Sequence, residues 1–180
     1  FRLPSAVLEG SAIGEGCTHV ATFHVDSFPI RVGWEADLER ATSSGYAFAA
    51  AVREEDRFGK PTTAGLFFPR EFYIRYHPKL LLSDDDMQSP LANRYARKLW
   101  NPRESGVGYG FVAFREGLRW LTLRRTNVNA GHYYYGTIHG DLIFHLGAAA
   151  HASRSFPGAR ERAVFASLRR GVSTVVPHPI

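Results

Sequence analysis

Apolar and polar positions fall into blocks whose length and period predict the elements of this chain. Residues 18–25 (Thr-His-Val-Ala-Thr-Phe-His-Val) hold β-formers and no proline, which predicts a buried strand closed by Asp26 and Ser27. Trp34, Leu38 and Ala41 recur at helical spacing, with Glu35, Asp37, Glu39 and Arg40 on the other face. That pattern predicts an amphipathic helix over 34–44, stopped by Gly45. The run 46–52 has strand length, although its alanines leave helix open. A charged loop over 53–60 and a third strand over 62–68 follow, and Pro69 then opens a short helix through Tyr76. Residues 83–90 read as a polar loop and 90–100 as a helix. Over 106–117 the period is ambiguous, with Phe111, Phe114 and Leu118 suited to a helix face. Residues 120–125 alternate as a strand, and the β-branched and aromatic content of 137–146 argues for another. At the ends, a short helix is expected after Pro4, a longer one over 159–170, and a strand or extended tail over 172–176. Strands alternate with helices, so the expected class is α/β, a mixed and largely parallel sheet flanked by helices in a single domain over 1–180.

Composition narrows the class further. The chain has 180 residues, 44% hydrophobic and 22% charged, which excludes a disordered tail and a coiled coil. No apolar stretch approaches the roughly 20 residues of a membrane span, so no transmembrane segment is expected. Cys17 is the one cysteine, which excludes an intramolecular disulfide and leans towards a cytoplasmic protein. The first residue is Phe1 and the one methionine is Met87, so an upstream part is expected to be missing. Lys plus Arg is 22 against 17 Asp plus Glu, a net charge of +5, and 19 of those bases are arginine. Arginine's planar fork suits phosphate and carboxylate. No dense basic run is present, and nucleic acid is not an expected partner.

Three segments carry candidate chemistry. His24 and Asp26 close the first strand, and in strand geometry they point to one side. A carboxylate beside an imidazole there could hold a divalent cation; equally, Asp26 could cap the turn and His24 belong to the core. Residues 135–147 include His139, Asp141 and His145, and with His151 this region holds three of the eight histidines within 13 positions. Imidazole metal binding fits that density, although no HExxH or other tight ligand pattern is present. Asp84, Asp85 and Asp86 could supply a general base or simply solvate a turn. Cys17 sits in an apolar setting with His19 as its one basic neighbour, which argues against a catalytic thiol. Residues 106–110 (Gly-Val-Gly-Tyr-Gly) lack the strand-before, helix-after context of a dinucleotide fingerprint.

At these residues the sequence resembles the GT-A glycosyltransferases, in particular family-2-like bacterial enzymes. Residues 18–34 look like the strand that ends in their DxD motif, followed by a proline and a Gly-Trp pair. The second acid of the motif falls on Asp26, and His24 stands where the family has the first. Residues 140–148 resemble the late H-x-G element, which brings His145 in as a third ligand. The resemblance therefore implies a GT-A-like, Rossmann-related sheet and a cation (Mn or Mg) held by Asp26, His24 and His145. Asp26 and His24 would hold that cation against the diphosphate of a nucleotide-sugar donor. Residues 60–72 look like the strand between donor and acceptor subsites. A carboxylate base follows that region in the family, which points to Asp86 or Asp85. The family also places a nucleotide-binding βαβ unit before its motif, whereas 25 residues precede Asp26 here. The chain is thus expected to be the central and C-terminal part of such an enzyme, with the missing unit truncated, absent, or supplied by a second chain or a homo-oligomer.

The function expected on these grounds is metal-dependent transfer of a sugar from a nucleotide donor to a hydroxyl acceptor. The alternative is a non-catalytic GT-A-like module for carbohydrate binding or subunit assembly. Trp120, Tyr133, Tyr134 and Tyr135 would then serve as its stacking aromatics.

Overall fold

A computed structural model of the chain describes residues 16–52, 59–99, 101–127 and 136–146. Both expected terminal helices, the 172–176 segment, Tyr133–Tyr135, His151 and most of the charged loop lie outside them. The described elements begin with β1 (His19–Thr22), β2 (Ser27–Pro29), α1 (Trp34–Ser43), β3 (Ala49–Val52) and β4 (Pro61–Pro69). The helices α2 (Arg70–Tyr76), α3 (Asp84–Gln88), α4 (Pro90–Ala96) and α5 (Val107–Glu116) follow, and then β5 (Leu121–Leu123), β6 (Thr137–His139) and β7 (Ile143–His145).

The α/β class holds, with a mixed four-stranded sheet ordered β1-β4-β3-β5 and a three-stranded sheet ordered β2-β7-β6. The expectation of a largely parallel sheet is corrected: among the described residues β3 and β5 form the one parallel pair, and every other pairing is antiparallel. Connection length explains the pairs between strands that are consecutive or linked by a long crossover. Parallel neighbours need a crossover of about a dozen residues or more. Between β3 and β5 the chain runs through β4 and four helices, whereas β3 to β4 and β6 to β7 are short returns. The two sheets meet where the chain leaves β5. Arg125 bridges His139, and the Thr126 and Gly140 amides donate to the Ile138 and Arg124 carbonyls at 2.8 and 2.7 Å.

Side-chain alternation along β4 divides the core. Leu66 and Phe68 pack with Phe48, Phe72 and Tyr109 beneath α2 and α5. Phe67 packs on the opposite side with Leu38 of α1, Leu142 and Ile143. Gly65 shares that second side, and a Cβ there would lie 2.5 Å from Ile143 Cδ1. The missing side chain lets the small sheet seat directly on β4. The 106–110 glycines are likewise packing residues, since Cβ atoms there would run into Pro61, the Lys79 backbone and the Tyr95 hydroxyl. These close approaches explain that run without a nucleotide.

The 83–90 segment is a second correction, because it contains α3 and the start of α4 rather than a plain loop. The Ser83 hydroxyl accepts from the Asp86 amide at 3.2 Å, and the Asp86 carboxylate accepts from the Ser83 amide at 2.8 Å. That reciprocal cap places three aspartates in the first turn, where the helix dipole favours negative charge. Among the described residues no helix is long and apolar enough to cross a membrane.

Candidate metal centre between the two sheets

The turn joining β1 to β2 is built by residues 24–27. The Ser27 amide donates to the His24 carbonyl at 3.0 Å, and the Ser27 hydroxyl accepts from the His24 amide at 2.7 Å. Val25 stands fully exposed at the tip, while His24 and Asp26 are half-buried behind it. The turn, rather than strand alternation, puts these two side chains together.

His145 arrives from the other end of the described chain. It ends β7, pairs with Ser27 on one side and with Thr137 on the other, and the Leu146 amide donates to the Asp26 carbonyl at 2.9 Å. The hairpin that delivers it turns at Gly140 and Asp141, both with left-handed backbone (φ 58° and 56°). Asp141 therefore lies in the turn, where it accepts from the Thr126 hydroxyl at 2.7 Å, and does not share a strand face with His145.

The result is a cluster of His24, Asp26 and His145 whose ligand atoms all lie within 4.8 Å of one another. His145 Nε2 is 3.6 Å from Asp26 Oδ1, with side chains only 16% and 11% exposed. The two imidazole rings meet edge-on at 5.4 Å. Donors about 2.1 Å from a common ion stand roughly 3.4 Å apart in tetrahedral geometry, so the His145–Asp26 spacing already matches one edge. Two imidazoles and a carboxylate are a chemically suitable donor set for a divalent cation.

The surroundings are polar and buried. His24 Nε2 lies 2.8 Å from the Thr63 hydroxyl on β4, which lies 2.6 Å from the Ser105 hydroxyl. Ser105 belongs to a loop tied down by the buried Lys60 ammonium, which donates to Glu104 and, at 3.1 Å, to the Asn101 carbonyl. Beneath the cluster, His139 is buried with its Nε2 at 3.0 Å from the Thr137 hydroxyl. Burial lowers the pKa of this imidazole to about 4, the neighbouring His145 and Arg125 add to the effect, and a backbone interaction with Leu123 opposes it. His139 is therefore neutral at physiological pH.

Of the sequence-predicted residues, His24, Asp26 and His145 are brought together; Asp85 and Asp86 lie on α3, outside the cluster. Burial alone would raise the Asp86 pKa, but hydrogen bonds from Lys79 and Ser83 and the Lys79 charge bring it down to about 2. Its oxygens serve the cap and both Lys79 hydrogen bonds at 2.8 Å. Asp85 is exposed. Trp120 is half-buried with one face stacked on Phe48 at 5.2 Å, which gives it a place in the core. Sequence reasoning missed Thr63, Ser105 and Thr137. Ser105 sits in an ordinary polar loop, and Thr63 and Thr137 read as ordinary β-formers. No protein-family model, curated protein or solved structure matches this chain.

Proposed function

We propose that this chain is a glycosyltransferase-like protein. It would transfer a sugar from a nucleotide-sugar donor to a hydroxyl acceptor, with His24, Asp26 and His145 holding a divalent cation. The observation that carries the reading is the convergence of these side chains from the two segments that resemble the family's metal-binding motifs. A cation held there supplies positive charge to a departing diphosphate. Asp26 offers it the one carboxylate of the cluster, fixed by the turn and by the Leu146 amide on its carbonyl. The low exposure of Asp26 and His145 keeps water from screening that charge. Of Asp85 and Asp86, the acids to which the resemblance points, the exposed Asp85 is kept as proton acceptor. Asp86, at about 2, is too weak a base for the role at neutral pH. The mixed sheet is taken as GT-A-like, with the ligands gathered at one end of β1.

The test is calorimetric titration with UDP-, GDP- and dTDP-sugars, with and without a divalent cation. Nucleotide binding that requires the cation, and that disappears in Asp26→Ala, is the expected result. No heat from any donor in the presence of cation would count against the reading.

A further inference from the structure

We infer that the cluster selects a zinc-class ion, Zn2+ or Co2+, over Mg2+ or Mn2+, and that Thr63 positions His24 as one of its ligands. The inference rests on reading His24, Asp26 and His145 as cation ligands. Their donor set is two imidazole nitrogens and one carboxylate. Imidazole suits zinc, cobalt and iron, whereas Mg2+ is held by oxygens, and Mn2+ stands at the weak end of the affinity order for a nitrogen-containing site. His24 tips that balance, since an acid at its place would give two carboxylates and one imidazole.

The hydrogen-bond chain behind His24 supports a ligating role rather than a packing one. The His24 Nε2, Thr63 Oγ1 and Ser105 Oγ atoms follow one another at 2.8 and 2.6 Å. Placing the ring proton on Nε2, donated to Thr63, lets Thr63 donate in turn to Ser105 and leaves Nδ1 with its lone pair. Metal-binding histidines use their second nitrogen in this way, and removing the partner costs about 10- to 100-fold in affinity. Thr63 is itself buried, and the Lys60–Glu104 pair anchors the loop carrying Ser105. The chain of hydroxyls is thus held from both ends.

The test is a Co2+ titration of the chelator-stripped full chain, followed by its visible ligand-field absorption, with Zn2+, Mn2+ and Mg2+ as competitors. Zn2+ should erase the bands, Mn2+ should need more than about tenfold higher concentration, and Mg2+ should not compete. His24→Asp should narrow the preference for Zn2+ over Mn2+, and Thr63→Val should weaken Co2+ binding by about 10- to 100-fold. Equal competition by Mn2+ and Zn2+ in the wild type overturns the selectivity while leaving the cation site standing. Bands that persist in Asp26→Asn place the ion elsewhere, and no binding by any ion removes the site; either result overturns the proposed function as well. If His24→Asp does not fold, the wild-type ranking and Thr63→Val decide between these outcomes.

Discussion

The two sides of β4 are made of different materials. On one side, Leu66 and Phe68 close against Phe48, Phe72 and Tyr109, an aromatic cluster with ring centroids 5.1–6.5 Å apart. On the other side Phe67 keeps an apolar patch with Leu38, Leu142 and Ile143, but beside it β4 presents Thr63 and Gly65 to a small sheet that brings His145, His139 and Thr137. The first side earns its stability from apolar area and close packing. The second buries polar atoms that repay desolvation only when hydrogen-bonded, so its geometry is set by specific partners. A fold that needed only stability could make both sides alike. The polar side is where binding chemistry has room.

This contrast can be broken one side at a time. Phe48→Ala removes a fully buried ring and should cost about 3–5 kcal/mol in denaturant unfolding, with cation affinity per folded molecule unchanged. Equal losses of stability and affinity would show that the two sides are not separable. Gly65→Val forces Ile143 away from β4 and should cost about 1–3 kcal/mol by overpacking. Because Ile143 and His145 share β7, the same substitution should weaken cation binding, and calorimetry on the folded fraction checks this. Unchanged binding would mean that the cluster does not depend on how the sheets are seated.

Asp86→Asn is the mildest of these changes and lies far from both sides in kind. Losing one half of the cap and the Lys79 pair should cost about 1 kcal/mol at neutral pH and leave cation and nucleotide binding intact. Its pH dependence has a definite sign. With the folded-state pKa at about 2, below the ordinary 3.8, the carboxylate form favours folding. Its stabilisation is present above about pH 3.8 and is lost as pH falls through about 2. The side chain is a quarter exposed, so solvent screening keeps this term small. A wild-type minus variant stability difference that does not shrink on acidification would contradict the assignment.

Much of the core was legible in the sequence. The 62–68 run, the 3.6-residue period of Trp34, Leu38 and Ala41, and the proline opening α2 all correspond to elements found. Strand direction was not legible, because alternation of strands with helices does not say which connections are long enough to cross over. The Ser83 cap shows another limit: three consecutive aspartates look like a solvated loop until Ser83 is paired with Asp86 three positions on. In the site, His24, Asp26 and His145 were readable as residue types and through resemblance to family motifs. The local reasoning was not the operative one, since a turn rather than a strand joins His24 to Asp26. Thr63 and Ser105 were out of reach, because they become partners of His24 only once β4 and the loop before α5 are packed together.

The most direct measurement is thermal unfolding of the wild type and Asp26→Asn with and without Zn2+. An ion present at about 100 times its Kd stabilises by about 2.7 kcal/mol, or about 5–10 °C for a chain of this size. A rise of that order in the wild type that vanishes in Asp26→Asn is the expected result. The same rise in both proteins, or none in either, would contradict a cation site at His24, Asp26 and His145.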